Sequence, residues 1–172
     1  MSHVSRDFTA TTFVVLGGWT LLLYHKQLRQ WFPPGGHIHR AELPCDAAVR
    51  EVREESGLEV ELLSSRSSIG QVGVLSQPEC ILLEEIAPGH QHIDLIYFAS
   101  VIGGCLKLSE AEAEAYWWCT AEELESPDIA EDIRRLGKMA IERAEGRGQR
   151  ADAFFHLCPL PFTYKGPIDG PG

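Results

Sequence analysis

Basic side chains are scarce in this 172-residue chain: fifteen Lys and Arg stand against twenty-five Asp and Glu, a net charge of −10. That balance repels nucleic-acid polymers and acidic membranes, because gripping a phosphate backbone takes many cations. Arg147 and Arg150 are too few to change this and read as solvated. A small phosphorylated ligand remains compatible, since a divalent cation can bridge carboxylates to phosphate. Paired cysteines are missing too. Cys45, Cys80, Cys105, Cys119 and Cys158 are odd in number, widely spaced and without a Cys-x-x-Cys pair. They read as reduced, partly buried thiols of a cytoplasmic protein. No long hydrophobic run is present either. Thr12–Tyr24 is apolar, yet Gly17-Gly18 breaks it, it is too short to span a bilayer, and no small-residue cleavage site follows. No internal repeat is visible.

What is present suits one domain with its own core. Phe13–Leu16 and Thr20–Tyr24 flank the Gly-Gly turn as a β-hairpin within residues 9–26. Lys26–Arg40 reads as a loop centred on Pro33-Pro34-Gly35-Gly36. Pro44 sits where a first helical residue should, and Asp46 favours the positive end of the helix dipole. Leu43 is a poor N-cap, so tertiary contacts are expected to hold that end. Cys45, Ala48, Val49, Val52 and Ser56 share one helical face, and Gly57 ends the helix. Strands are expected at Leu58–Leu63, Cys80–Ile86, Ile93–Ile102 and just before Trp117-Trp118. A second helix is expected from Ser126 to Glu145, with Ile129, Ile133, Leu136 and Ala140 inward. The fold class is α/β. Residues 1–146 form the expected domain. Residues 147–172, rich in proline, glycine and aromatics, read as an extension packing on the domain or on a partner subunit.

Glu51, Glu54 and Glu55 stand at i, i+3 and i+4, within about 100° of arc on a helix. Like charges so placed repel, and a hard divalent cation bound by oxygens would reverse that repulsion. Taken alone, the three read better as a solvated acidic face with an ordinary Arg50–Glu54 pair.

Their surroundings decide between the two. Gly36, five residues, Glu42, seven residues, then Arg50-Glu51-Val52-Arg53-Glu54-Glu55-Ser56-Gly57-Leu58 resembles the Nudix box, signature of a family of pyrophosphohydrolases. The resemblance covers about one-seventh of the chain. It implies an α/β/α sandwich around a mixed sheet, and Mg²⁺-dependent (or Mn²⁺-dependent) water attack at phosphorus in a small nucleotide-derived diphosphate. It further implies that Glu54 and Glu55 bind metal with Glu51 and the Gly36 carbonyl, that Arg50 positions the glutamates, and that Glu42 is an outer partner. A glutamate outside the box often serves as base in such enzymes; Glu114 is the candidate, with Glu112 competing. Family members are often dimeric, and the aromatic tail would suit a homodimer contact. Where many members carry a glutamate and a basic residue, this chain has His39 and His37. No segment resembles the extra signature of coenzyme A substrates. A protein that keeps the fold but only senses a ligand is the alternative.

Three further features invite substrate contacts. Trp31 precedes the glycine loop and could stack a base or pack the loop on the sheet. His37 could contact phosphate. His92 and Asp94, alternating with apolar Ile93 and Leu95, read as a grip on ligand or as the polar side of a strand end. His37-x-His39 with His90-x-His92 could also supply four imidazoles to a transition metal, although nothing in the sequence joins the two pairs.

Overall fold

The first strand, β1 (Ser5–Leu16), is buried on both faces over its second half, and that requires cover on both sides. Phe13 and Val15 point into one cluster, with Leu22, Phe98, Ile133 and Ile141. Val14 points the other way, among Leu21, Val52, Val60 and Ala99. Two helices supply the cover. The result is the sandwich expected from the sequence. The structure, a computed structural model, describes residues 4–109 and 111–147. The expected extension therefore lies, from residue 148 on, outside the described residues. No helix among them is long and apolar enough to cross a membrane.

In chain order, β1 turns at Gly17-Gly18, both at positive φ, into β2 (Trp19–His25). Two three-residue strands follow, β3 (Gln30–Phe32) and β4 (Gly35–His37), then helix α1 (Pro44–Ser56) and β5 (Leu58–Leu62). A separate hairpin of β6 (Ser67–Ile69) and β7 (Val72–Val74) precedes β8 (Cys80–Ala87), β9 (His90–Gly104) and β10 (Ala113–Cys119). Helix α2 (Glu131–Glu145) closes the described chain. The main sheet runs β10–β2–β1–β9–β5, with β3 on β2, β4 on β1 and β8 on β9. Pairing of β1 with β9 is parallel and the rest antiparallel, so the sheet is mixed.

Only the turn end of the hairpin stays paired: β1 meets β2 at Val15–Thr20 and Leu16–Trp19. Beyond that, β2 pairs with β3 and β1 with β4. Residues 30–37 thus cross from one diverging strand to the other, over the gap between them. That crossing corrects the plain loop expected at Lys26–Arg40. Turn-forming residues hid two strands too short to show any alternation.

The helix ends follow local chemistry. Helix α1 begins at Pro44 without a side-chain cap from Leu43. Gly57 ends it at φ 71°, its N–H donating to the Arg53 carbonyl at 2.9 Å. A Cβ on Gly57 would stand 2.7 Å from the Cys105 carbonyl oxygen. Gly57→Ala is therefore expected to destabilise by about 2 kcal/mol, from left-handed backbone strain and this contact. Urea unfolding checks it: the midpoint should fall with the slope unchanged.

The second helix starts five residues later than the sequence suggested. Ser126 closes a 3-10 turn by donating to Glu123, its hydroxyl accepts from the Asp128 N–H, and Ala130 is extended. Such local hydroxyl bonds compete with helix formation. Ile129 is still buried, but from the turn rather than from the helix.

Candidate active site

Where β1 and β2 part, a cavity of about 580 Å³ opens, and α1 faces it with Arg50, Glu51, Glu54 and Glu55. Gly36 and His37 of β4 and His92 of β9 border the same space. The seven sequence candidates from the glycine loop, the glutamate helix and β9 are thus brought together. A larger cleft of about 880 Å³, lined by Arg53, Ser64 and Arg66, lies along α1 as well. It touches Arg50 and Glu54 but not Glu51, Glu55 or Gly36, so the acidic chemistry belongs to the smaller cavity.

One guanidinium organises the acids. Arg50 Nε donates to Glu42 Oε1 at 2.7 Å and Nη2 to Oε2 at 3.0 Å, a two-pronged bond. Its Nη1 donates to Glu51 at 2.7 Å and to Glu54 at 2.9 Å, and Nη2 also reaches the His37 carbonyl at 3.1 Å. The Arg50–Glu54 pair is therefore one branch of a network, not an isolated surface bridge. Glu42 responds most clearly: the hydrogen bond from Arg50 holds its carboxyl at about 2. The same partners raise Arg50 further above its ordinary value.

Glu55 is the contrasting case. It lies outside the reach of Arg50's bonds and accepts the Gly35 N–H at 3.2 Å. Burial pushes its pKa up to about 8 against that bond, and the charges of Glu112, Glu51 and Glu54 add to the rise. Burial also raises Glu51, although Arg50 opposes it. Convergence of the three glutamates is thus partial: Glu51 and Glu54 meet at one nitrogen, while Glu55 is held from the glycine loop.

The two glycines are steric requirements. A Cβ at Gly36 would sit 2.6 Å from Glu51 Oε1, so the carboxylate packs against bare backbone. At Gly35 it would meet the Thr11 hydroxyl at 2.6 Å and the Ala10 carbonyl at 2.9 Å, within the β4–β1 pairing.

Two sequence candidates stand elsewhere. Trp31 is buried in the core, its ring edge-on to Tyr24 at 5.0 Å and to Trp117 at 5.6 Å. It packs the crossing segment on the sheet. Its neighbour Phe32, on the other face of β3, borders the cavity instead. Glu114 is paired with Arg29 at 2.5 Å and lies outside the cavity. Glu112, at the entrance to β10, borders it and bears electrostatically on both Glu51 and Glu55. A register irregularity between Ala113 and Ala115 turns this segment. No spacing rule in the sequence announces that shift. Trp117 and Trp118 split across the sheet as alternation requires, each packing on a different core cluster.

The opposite wall carries Asp94, which the sequence set beside His92 as the polar side of a strand end, and Glu84, which the sequence reading passed over. Asp94 is buried and accepts from the Thr9 hydroxyl at 2.9 Å, and burial raises its pKa. Glu84 on β8, also raised by burial, borders the same space. The signal for Asp94 was available: His92 and Asp94 alternate along β9, and Thr9 faces Asp94 across the parallel pair. His92 is lowered, first by burial and then by His37 and His90.

Four carboxylates, Glu51, Glu54, Glu55 and Glu112, therefore border one cavity; Arg50 bonds only Glu51 and Glu54, and burial opposes the charge of Glu51 and Glu55. An all-oxygen set with surplus negative charge fits a hard divalent cation. Glu51, Glu54, Glu55 and the Gly36 carbonyl are the residues that could hold it.

A family model described as the NUDIX domain matches residues 9–138. A human protein named 8-oxo-dGDP phosphatase NUDT18 is 32% identical over 116 residues, 65% of this chain. The chain spans 30% of that relative's length. A hydrolase structure of the NUDIX family from Clostridium perfringens superposes at a TM-score of 0.70 with 30% identity, over 81% of this chain and 98% of that one. A MutT NUDIX hydrolase from Burkholderia pseudomallei shares the fold at a TM-score of 0.60 with 21% identity, over 81% and 98%.

Proposed function

The chain belongs to the NUDIX family, and on that premise we propose that it hydrolyses the phosphoanhydride of a small nucleoside-diphosphate derivative by attack of water at phosphorus. The observation that carries this reading is the single arginine holding Glu42, Glu51 and Glu54 while Glu55, partly buried beside them, is pushed to about 8. Carboxylates crowded in this way would be relieved by a divalent cation, whose binding favours their charged forms. Glu51, Glu54, Glu55 and the Gly36 carbonyl would hold Mg²⁺ or Mn²⁺, which would supply charge neutralisation of the diphosphate.

The chain's own residues do the rest. Arg50 fixes two of the acids and, through the His37 carbonyl, the glycine loop. A carboxylate takes a proton from the attacking water, whose oxygen bonds to phosphorus. The bridging P–O bond breaks, and the leaving phosphate departs with the bridging oxygen. Phe32 offers an aromatic face to a base, and His37 and His92 offer ring N–H groups to anionic oxygens. A small substrate also suits the volume and the net charge of −10.

The substrate panel takes an 8-oxo-deoxynucleoside diphosphate from the name of the human relative, and adds a dinucleoside tetraphosphate and a nucleotide sugar as two further classes of small nucleotide-derived phosphoanhydride. Incubation with Mg²⁺ in ¹⁸O-water should give turnover, stopped by EDTA, with label in one phosphate product. Tight binding without turnover on every compound would instead support a ligand-sensing role.

Glu112 takes the part first considered for Glu114. Glu112→Gln is expected to lower kcat by about 10²-fold as loss of an acid–base partner. Glu114→Gln, in a partly exposed ion pair with Arg29, should change stability by less than about 1 kcal/mol and leave kcat within twofold or so. Equal losses in the two variants would remove Glu112 from the site.

A further inference from the structure

We propose that Asp7, His37 and His92 form a second cation site, selective for a borderline transition metal such as Zn²⁺ or Co²⁺ and separate from the glutamates of α1. One ligand atom from each of the three lies within 4.8 Å of the others. Asp7 Oδ2 faces His37 Nε2 at 3.8 Å and also His90 Nε2 at 3.6 Å. The His92 ring stands 5.0 Å from that of His37 and 5.2 Å from that of His90. His90 thus stands beside the trio, within reach of Asp7.

The sheet builds this cluster. In the parallel pairing of β1 with β9, Ser5 registers with His90, Asp7 with His92 and Thr9 with Asp94. Alternation puts these three rungs on one face. The outer rungs are tied: the Ser5 hydroxyl and His90 Nδ1 lie 2.9 Å apart, and Thr9 donates to Asp94 at 2.9 Å. The middle rung, Asp7–His92, is left to face outward. Strand β4 lies on the other side of β1, with His37 opposite Thr9, and brings the third ligand. The bond at His90 Nδ1 leaves its Nε2 toward the cluster, the second-sphere orientation typical of metal-binding imidazoles.

Donor chemistry separates the two sites. Imidazole nitrogen with one carboxylate suits Zn²⁺, Co²⁺ or Ni²⁺, whereas Mg²⁺ keeps to oxygen. Zn–N bonds of about 2.0–2.1 Å put tetrahedral ligands roughly 3.3 Å apart. Small rotations of exposed side chains close the difference. His37 follows Gly36 directly and His92 borders the cavity, so a cation here stands at its rim, across from the glutamate helix.

Co²⁺ titration of the full chain in excess Mg²⁺ tests the assignment, since tetrahedral Co²⁺ bound to nitrogen gives intense visible bands. One equivalent should bind with such a spectrum in wild type and equally in Glu55→Gln. His37→Ala and His92→Ala, shown folded by circular dichroism, should bind about tenfold more weakly or worse and lose the bands. Failure of wild type to bind, unchanged bands in both histidine variants, or loss of binding in Glu55→Gln would each overturn the proposal. None of these outcomes bears on the hydrolase reading, which is judged by turnover.

Discussion

Glu55→Gln is expected to lower kcat by about 10²-fold or more, as loss of a carboxylate that would hold the metal and so position the attacking water, while raising the melting temperature of the metal-free protein at pH 8. Both effects come from one cause. Glu55 is held in a partly buried position where three other carboxylates oppose its charge. Glutamine keeps the shape and can accept the Gly35 N–H, but carries no charge to bury.

The pH dependence has a definite sign. The pKa of Glu55 is about 8 in the folded chain and near 4.5 when unfolded. Between those values the folded state binds the extra proton, so stability falls as pH rises. Below about pH 4.5 Glu55 contributes no penalty, and above about pH 8 the penalty is complete. Thermal unfolding in EDTA from pH 5 to 9 should show the wild type losing ground to Glu55→Gln across that window. Mg²⁺ should recover more of the loss in wild type than in the variant. Parallel curves for the two proteins would mean that Glu55 is solvated and no more strained than a surface acid.

Arg50→Ala should be the most damaging single change to the fold of the site. It removes two bonds to Glu42 and one each to Glu51, Glu54 and the His37 carbonyl. Removing the shared partner of this partly buried ion network costs about 2 kcal/mol, because Glu51 stays desolvated without its donor. With the glutamates released, kcat/KM should drop by at least about 10²-fold, as misplacement of catalytic groups by an ångström does. Arg50→Lys restores the charge but not the fork, so it should recover stability better than activity. Chemical denaturation and steady-state kinetics on the same preparations separate the two. Full recovery of kcat/KM by lysine would reduce Arg50 to a point charge.

Helix α1 was legible in the sequence because its markers are local. Pro44 begins it, Gly57 ends it at positive φ, and Cys45, Ala48, Val52 and Ser56 bury as their spacing required. The arginine–glutamate network was legible only through resemblance, since three acids on a helix are by themselves an ordinary solvated face. Contacts made between distant strands were not legible. Asp7 drew no notice, because its importance arises from lying opposite His92, eighty-five residues away. Trp31 and Phe32 could not be told apart, since one residue of register decides which faces the core. Glu112 and Glu114 differ by a bend that only the pairing of β10 with β2 creates.

The crossing of residues 30–37 between two diverging strands divides responsibility within the cavity. On the proposed hydrolase reading most of the metal-holding groups stand on α1, whereas Asp94, Glu84, His92 and Thr9 line the cavity from β1, β8 and β9. Mutation can therefore exchange one wall while the other is inherited intact. Lineages built this way can drift toward new metabolites without relearning how to cut them.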